Sequence, residues 1–149
     1  MRSKKNIAVF TLSLVSILIF LSGCRCTDGG FVYHLSGTLI DTSGTPITDT
    51  SMGITYREEG SPPYTKTDGD GYFEAGTRTG ITWGGCIPLG LWDPQAPVPR
   101  NPGILYLWHK DKNGKWHQTE VVIKDEYIIK AVRGELYIHM DTIQAREQP

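Results

Sequence analysis

The sequence predicts an all-β body: a single antiparallel β-sandwich of about seven to eight strands, preceded by a segment outside the fold. Three observations carry this. After Cys24 no amphipathic helical stretch occurs, the apolar residues come in short β-rich runs, and turn residues interrupt those runs at close intervals. At 149 residues, with 39% apolar and 21% charged side chains, the chain has the length and composition of one folded domain and not of a disordered tail. Its 15 basic and 16 acidic residues leave a formal charge of −1, so no nucleic-acid partner is expected.

The leader is the first element. Arg2, Lys4 and Lys5 precede an apolar run over residues 7–21, broken only by Thr11, Ser13 and Ser16. A basic start, an apolar stretch of this length and small residues after it make a secretory signal. The run falls short of the roughly 20 residues that a membrane span needs.

Leu21-Ser22-Gly23-Cys24 follows, an aliphatic residue, two small residues and a cysteine. This resembles the lipobox of bacterial lipoprotein precursors. The resemblance implies cleavage of a signal peptide over residues 1–23, a diacylglyceryl group on the Cys24 thiolate and an acyl chain, such as palmitate, on the new amino group. Two or three acyl chains hold a protein durably on a bilayer, where one holds it only marginally. The implied partner is therefore the membrane, through a lipid anchor, and the implied location is the bacterial cell envelope. Residue 25 is Arg and not the Asp of inner-membrane retention, which points to the outer membrane, facing the periplasm, in a Gram-negative source. Loss of Arg2, Lys4 and Lys5 leaves 12 of the 15 basic residues against 16 acidic ones, a formal −4, so the body itself has no attraction for anionic lipid.

With Cys24 committed to lipid, Cys26 and Cys86 remain, and two thiols in an exported chain most simply form a disulfide. Such a bridge would tie a lipidated tether over residues 24–30 to the loop that carries Cys86.

The body, residues 31–143, reads as strands over 31–41, 51–58, 64–67, 72–77, 104–110, 115–123, 127–132 and 136–143. Their breaks carry Asp41-Thr42-Ser43-Gly44, Gly60-Ser61-Pro62-Pro63, Asp68-Gly69-Asp70-Gly71, Asp111-Lys112-Asn113-Gly114 and Arg133-Gly134. In each, Gly supplies positive φ or Asp and Asn supply local hydrogen bonds. Residues 80–103, dense in Gly and Pro with Trp83 and Trp92, read as a long ordered loop, and residues 144–149 as a tail.

Gly37-Thr38-Leu39-Ile40-Asp41-Thr42-Ser43-Gly44-Thr45-Pro46-Ile47, then Gly53-Ile54-Thr55, then Thr67-Asp68-Gly69-Asp70-Gly71-Tyr72-Phe73 resembles the carboxypeptidase-regulatory-like family of transthyretin-like sandwiches. The match covers residues 37–73. It implies a noncatalytic module, because members are mostly appended to enzymes, receptors or surface anchors. The related hydroxyisourate hydrolases end in Tyr-Arg-Gly-Ser, whereas this chain ends Arg146-Glu147-Gln148-Pro149.

Few residues suggest chemistry. Asp68-Gly69-Asp70-Gly71 lacks the fifth- and sixth-position residues of a calcium loop. His117-Gln118-Thr119-Glu120 spells a zinc-peptidase motif, but on a strand positions three apart face opposite ways. No phosphate loop, no Gly-x-Ser-x-Gly and no cofactor motif occurs, so neither metal, cofactor nor enzymatic activity is expected.

The Asp111–Gly114 turn is more informative. A type I turn with a Gly bulge pairs Asp111 with Lys115. It sets Leu105 opposite Val121, Leu107 opposite Thr119 and His109 opposite His117 on the inner face. The two His read as a polar cap on the core. The outer face then carries Tyr106, Trp108 and Trp116 beside Gln118 and Glu120, a surface suited to an envelope protein or a glycan. The function expected from these residues is a structural or interaction role at the envelope. Carbohydrate or peptidoglycan binding and assembly of a secretion complex are the alternatives.

Overall fold

Three turns of one design decide where strands end. In the computed structural model, which describes residues 24–60, 62–80, 83–88 and 96–146, Asp41, Asp68 and Asp111 each donate their N–H to the carbonyl four residues on, at 2.9 Å. Gly44, Gly71 and Gly114 donate back to the Asp carbonyls at 3.0–3.1 Å. Each Asp Oδ1 then accepts the N–H groups two and four residues on, at 2.8–2.9 Å. The glycines sit at φ of 85°, 77° and 80°, the left-handed region that the bulge needs. The expected leader over residues 1–23 lies outside the described residues.

In chain order the strands are β1 (Cys24–Gly29), β2 (Val32–Ile40), β3 (Ser51–Thr55), β4 (Thr65–Lys66), β5 (Tyr72–Arg78), β6 (Trp83–Pro88), β7 (Ile104–Lys110), β8 (Trp116–Val122), β9 (Ile128–Val132) and β10 (Glu135–Gln144). A short 3-10 turn, Asp125–Tyr127, precedes β9. Two four-stranded sheets, β5-β2-β10-β9 and β4-β3-β7-β8, form an all-β sandwich, and β1 pairs with β6 in a separate ribbon. The Asp41 and Asp68 turns are the corners where the chain crosses between sheets. Between them Leu39 N–H bonds to Gly71 O and Ile47 N–H to Leu39 O, both at 2.9 Å.

Strict alternation builds the core. Leu35 and Leu39 of β2, Phe73 of β5 and Leu136 and Ile138 of β10 face Met52 and Ile54 of β3 and Leu105 and Leu107 of β7, all buried.

The strand ladder departs from the sequence reading in three places, the first being that β3 ends at Thr55 and does not run on to residue 58. β2 and β10 run parallel, because the first and last strands of the body meet at the centre of one sheet. Residues 24–29, expected as a tether, and residues 83–88, expected as loop, pair as β1 and β6. Gly-rich β6 has no alternation to announce it.

Two stability outcomes follow. Leu107→Ala should cost about 2–5 kcal/mol in denaturant unfolding, through lost burial and a cavity. Among the turn glycines, Gly71→Ala should cost more than Gly44→Ala or Gly114→Ala. Its Cβ would meet Pro46 Cβ at 2.9 Å and Leu39 O at 3.0 Å, while the other two open into empty space. Equal losses at the three positions would contradict this account.

Candidate functional site

The outer face of β5-β2-β10-β9 gathers polar side chains that are remote in sequence. Because Tyr33, Leu35 and Leu39 point inward, His34, Ser36 and Thr38 point outward. Register then builds two rows across the sheet. Gly76, His34, Tyr137 and Lys130 stand side by side, and next to them Glu74, Ser36 and His139.

Contacts bind each row together. The His34 and Tyr137 rings stack at 4.4 Å between centroids and 9° between planes. Lys130 Nζ lies 5.2 Å from the Tyr137 ring centre. Glu135 accepts the Tyr137 hydroxyl, which holds that phenol above its ordinary pKa, and its Oε2 is 4.0 Å from His34 Nε2. In the second row Ser36 Oγ is 3.0 Å from His139 Nδ1, and His139 Nε2 is 3.7 Å from Asp141 Oδ1. Tyr72 donates to Glu74 Oε1 at 3.0 Å, and this bond, more than desolvation, raises the Tyr72 pKa.

A recess of about 440 Å³ opens between the rows, lined by His34, Ser36, Glu74, Gly76, Ile129 and Tyr137 over the backbone of Leu35, Ala75 and Ile138. Gly76 leaves its floor bare. Ser36, His139 and Asp141 stand in the order of nucleophile, base and orienting acid. However, Ser36 Oγ also lies 3.4 Å from the Ile138 carbonyl, and the surrounding amides belong to the β5-β2-β10 ladder. An acyl-transfer site needs free N–H groups aimed at an oxyanion. What the face offers instead is a flat ring stack, a carboxylate and hydroxyls around a small hollow.

The residues expected to matter lie elsewhere. β7 and β8 pair in the register that the Asp111 turn predicts, from Leu105 opposite Val121 to His109 opposite His117. Their outer strip is half-buried. Trp108 Nε1 donates to Thr55 Oγ1 at 3.0 Å, Gln118 Nε2 to Glu58 O at 2.8 Å, and Tyr64 stacks on Trp116 at 5.1 Å. Glu58, Pro62, Pro63 and Tyr64 thus cover part of the strip, with Pro62 and Pro63 against Gly53, while Tyr56 stacks on inward-facing Tyr33. Tyr106 is half-buried and Glu120 stays exposed. His117 is buried and Glu120 is not, as expected for opposite faces of one strand.

His109 and His117 cap the core, stacked at 5.6 Å, with His117 Nε2 3.0 Å from Asp111 Oδ2. Asp68 Oδ1 accepts two N–H groups of its own turn, and among the described residues no cluster of three metal-ligating side chains occurs. Cys24 opens β1 opposite Pro88, and Cys26 is the register partner of Cys86.

Sequence reasoning missed His34, Ser36, Glu74, Tyr137 and His139. The available signal was polar alternation within two apolar strands, Tyr33-His34-Leu35-Ser36 and Leu136-Tyr137-Ile138-His139. Nothing local says that these strands are neighbours.

No family profile matches the sequence, and no curated protein matches it. Solved structures with some likeness include 3-chlorocatechol 1,2-dioxygenase from Rhodococcus opacus 1CP, at 13% identity and a TM-score of 0.40, over 83% of this chain and 64% of that one. Catechol 1,2-dioxygenase from Pseudomonas arvilla C-1 gives 16% and 0.39, over 83% and 55%. Chlorocatechol 1,2-dioxygenase from Pseudomonas putida gives 11% and 0.41, over 79% and 62%. The chain spans less than two thirds of the length of these enzymes. At such similarity their chemistry does not transfer to it.

These neighbours nevertheless correct the expectation of a noncatalytic body with no enzymatic activity. All three are enzymes, and the expected noncatalytic body is not carried forward. The role built on that exclusion, structural or interactive with glycan binding or secretion assembly as alternatives, is withdrawn with it.

The hairpin tip carries a pH dependence. The Asp111 carboxyl is held below the usual carboxylate range, first by its hydrogen bond with His117, with the N–H groups of Lys115 and Asn113 adding to it against partial desolvation. A carboxyl depressed in the folded state contributes stability that is present above its unfolded pKa and is lost as pH falls through the folded one. Unfolding midpoints should therefore drop as pH falls below about 4, and drop less steeply in Asp111→Asn. Parallel pH profiles for the two proteins would rule out this role.

Proposed function

We propose that the chain is a bacterial lipoprotein, held at the cell envelope through lipid on Cys24, with a carboxypeptidase-regulatory-like body that binds a small ligand in the recess over Gly76. The recess carries the reading. It joins a ring stack, a carboxylate and two hydrogen-bonded polar pairs around a hollow of small-molecule size.

The anchor rests on Leu21-Ser22-Gly23-Cys24 after the basic and apolar leader. β1 begins at Cys24, so the anchor leads directly into paired strand and would hold the body close to the bilayer. Register supports a Cys26–Cys86 disulfide as well. Directly opposite residues of an antiparallel pair have Cα atoms about 4.5–5.5 Å apart, within the span that a disulfide bridges. Closing a loop of this size contributes about 4 kcal/mol through the unfolded chain.

Wild-type protein should partition with membranes and incorporate labelled palmitate, and Cys24→Ser should do neither. Freely soluble wild type without acyl label would refute the anchor. Cys26 and Cys86 should resist alkylation until reduced, and two thiols that alkylate in the native protein would refute the bridge. For the recess, small-molecule hits from a ligand screen should shift the amides of Ser36, Glu74 and Gly76. Hits that map only to the opposite sheet would overturn the reading.

A further inference from the structure

The row across the outer sheet is a stack with its last member missing. Lys130 Nζ covers Tyr137, and Tyr137 lies flat on one side of His34. On the other flank of His34, β5 supplies Gly76. Neither backbone nor space demands glycine there. Its φ lies outside the left-handed region, and an added Cβ would make only ordinary contacts, 3.7 Å to His34 Nδ1 and 3.9 Å to Tyr33 O. The effect of the glycine is to leave the flank of His34 open to the recess.

Charge selects what could lie there. Glu74 is the charged residue lining the recess, and no Lys or Arg lines it. Glu74 Oε1 already accepts the Tyr72 hydroxyl, which leaves Oε2 to accept from a ligand. Glu135 adds a second carboxylate behind His34, 4.0 Å from its Nε2. Arg78 lies on the same outer face two residues beyond Gly76 but stays outside the recess. Ile129, 67% exposed, gives an apolar edge.

Building on the recess reading, we infer that its ligand is a planar cation, a guanidinium or amidinium group, stacked against His34 over Gly76 and hydrogen-bonded to Glu74. A flat group completes the stack, and its N–H donors match a carboxylate with a free oxygen. A tetrahedral ammonium would meet the carboxylate without stacking, and a carboxylate ligand would face Glu74 as a like charge.

The test titrates full-length protein in detergent micelles with benzamidine, benzylamine and benzoate, followed by amide chemical shifts. Benzamidine should shift Glu74 and Gly76 at millimolar concentration and bind several-fold tighter than benzylamine. Glu74→Gln should weaken it about tenfold, as expected for loss of a charge-assisted hydrogen bond. Gly76→Leu should abolish binding, and Gly76→Ala, which the fold accommodates, should weaken it. Undiminished benzamidine binding in Gly76→Ala and Glu74→Gln would overturn the inference. Benzoate binding at the same amides as tightly as benzamidine would overturn the cation and leave the recess as a ligand site. Failure of all three probes to shift those amides would overturn both.

Discussion

A carboxylate oxygen that accepts two N–H groups of its own turn recurs at Asp41, Asp68 and Asp111, and the placement of both sheets depends on it. Each clamp fixes one bulged turn, and a bulged turn fixes which residues of the flanking strands share a face. A slip of one residue would send Leu105 and Leu107 to solvent and bring Tyr106 and Trp108 into the core. Asp does this better than a neutral residue because a charged acceptor strengthens both bonds, and Gly follows because the bulge needs positive φ.

Two of the clamps act at corners. The Asp41 and Asp68 turns meet where β2 leaves one sheet and β5 enters it, and the Leu39–Gly71 and Ile47–Leu39 bonds tie them to each other. This junction aligns β5 with β2 so that Gly76 falls beside His34 and Glu74 beside Ser36. The recess is therefore a consequence of turn chemistry that lies outside its lining, a few residues along the chain from Ser36 and Glu74. Its other wall comes from β10, whose apolar inner residues Leu136 and Ile138 hold Tyr137 and His139 on the outer face.

The legible part of this protein was local. The β7–β8 register could be read from Asp111–Gly114 because the turn, its bulge and its alternating flanks lie within one short stretch of chain. The same logic located β2, β3, β5 and the β9–β10 hairpin at Arg133-Gly134. The candidate site was illegible for the opposite reason. Its halves, His34 with Ser36 and Tyr137 with His139, lie about a hundred residues apart and meet through a parallel pair with no turn to signal it. The aromatic strip was conspicuous in sequence, yet Glu58, Pro62, Pro63 and Tyr64 fold back over part of it. That cover follows from a Pro-containing turn and from small Gly53, and period-two alternation does not reveal it.

The central claim is that turn-fixed alternation and the β2–β10 register put one row of rings across the outer sheet, ending at Gly76. Through-space NMR contacts between side-chain ring protons test it most directly. The account predicts contacts from the His34 imidazole to the Tyr137 ring, with Gly76 α-protons near His34. Contacts from His34 to His139 with none from His34 to Tyr137 would mean a register shifted by two residues, and the ring row would not exist.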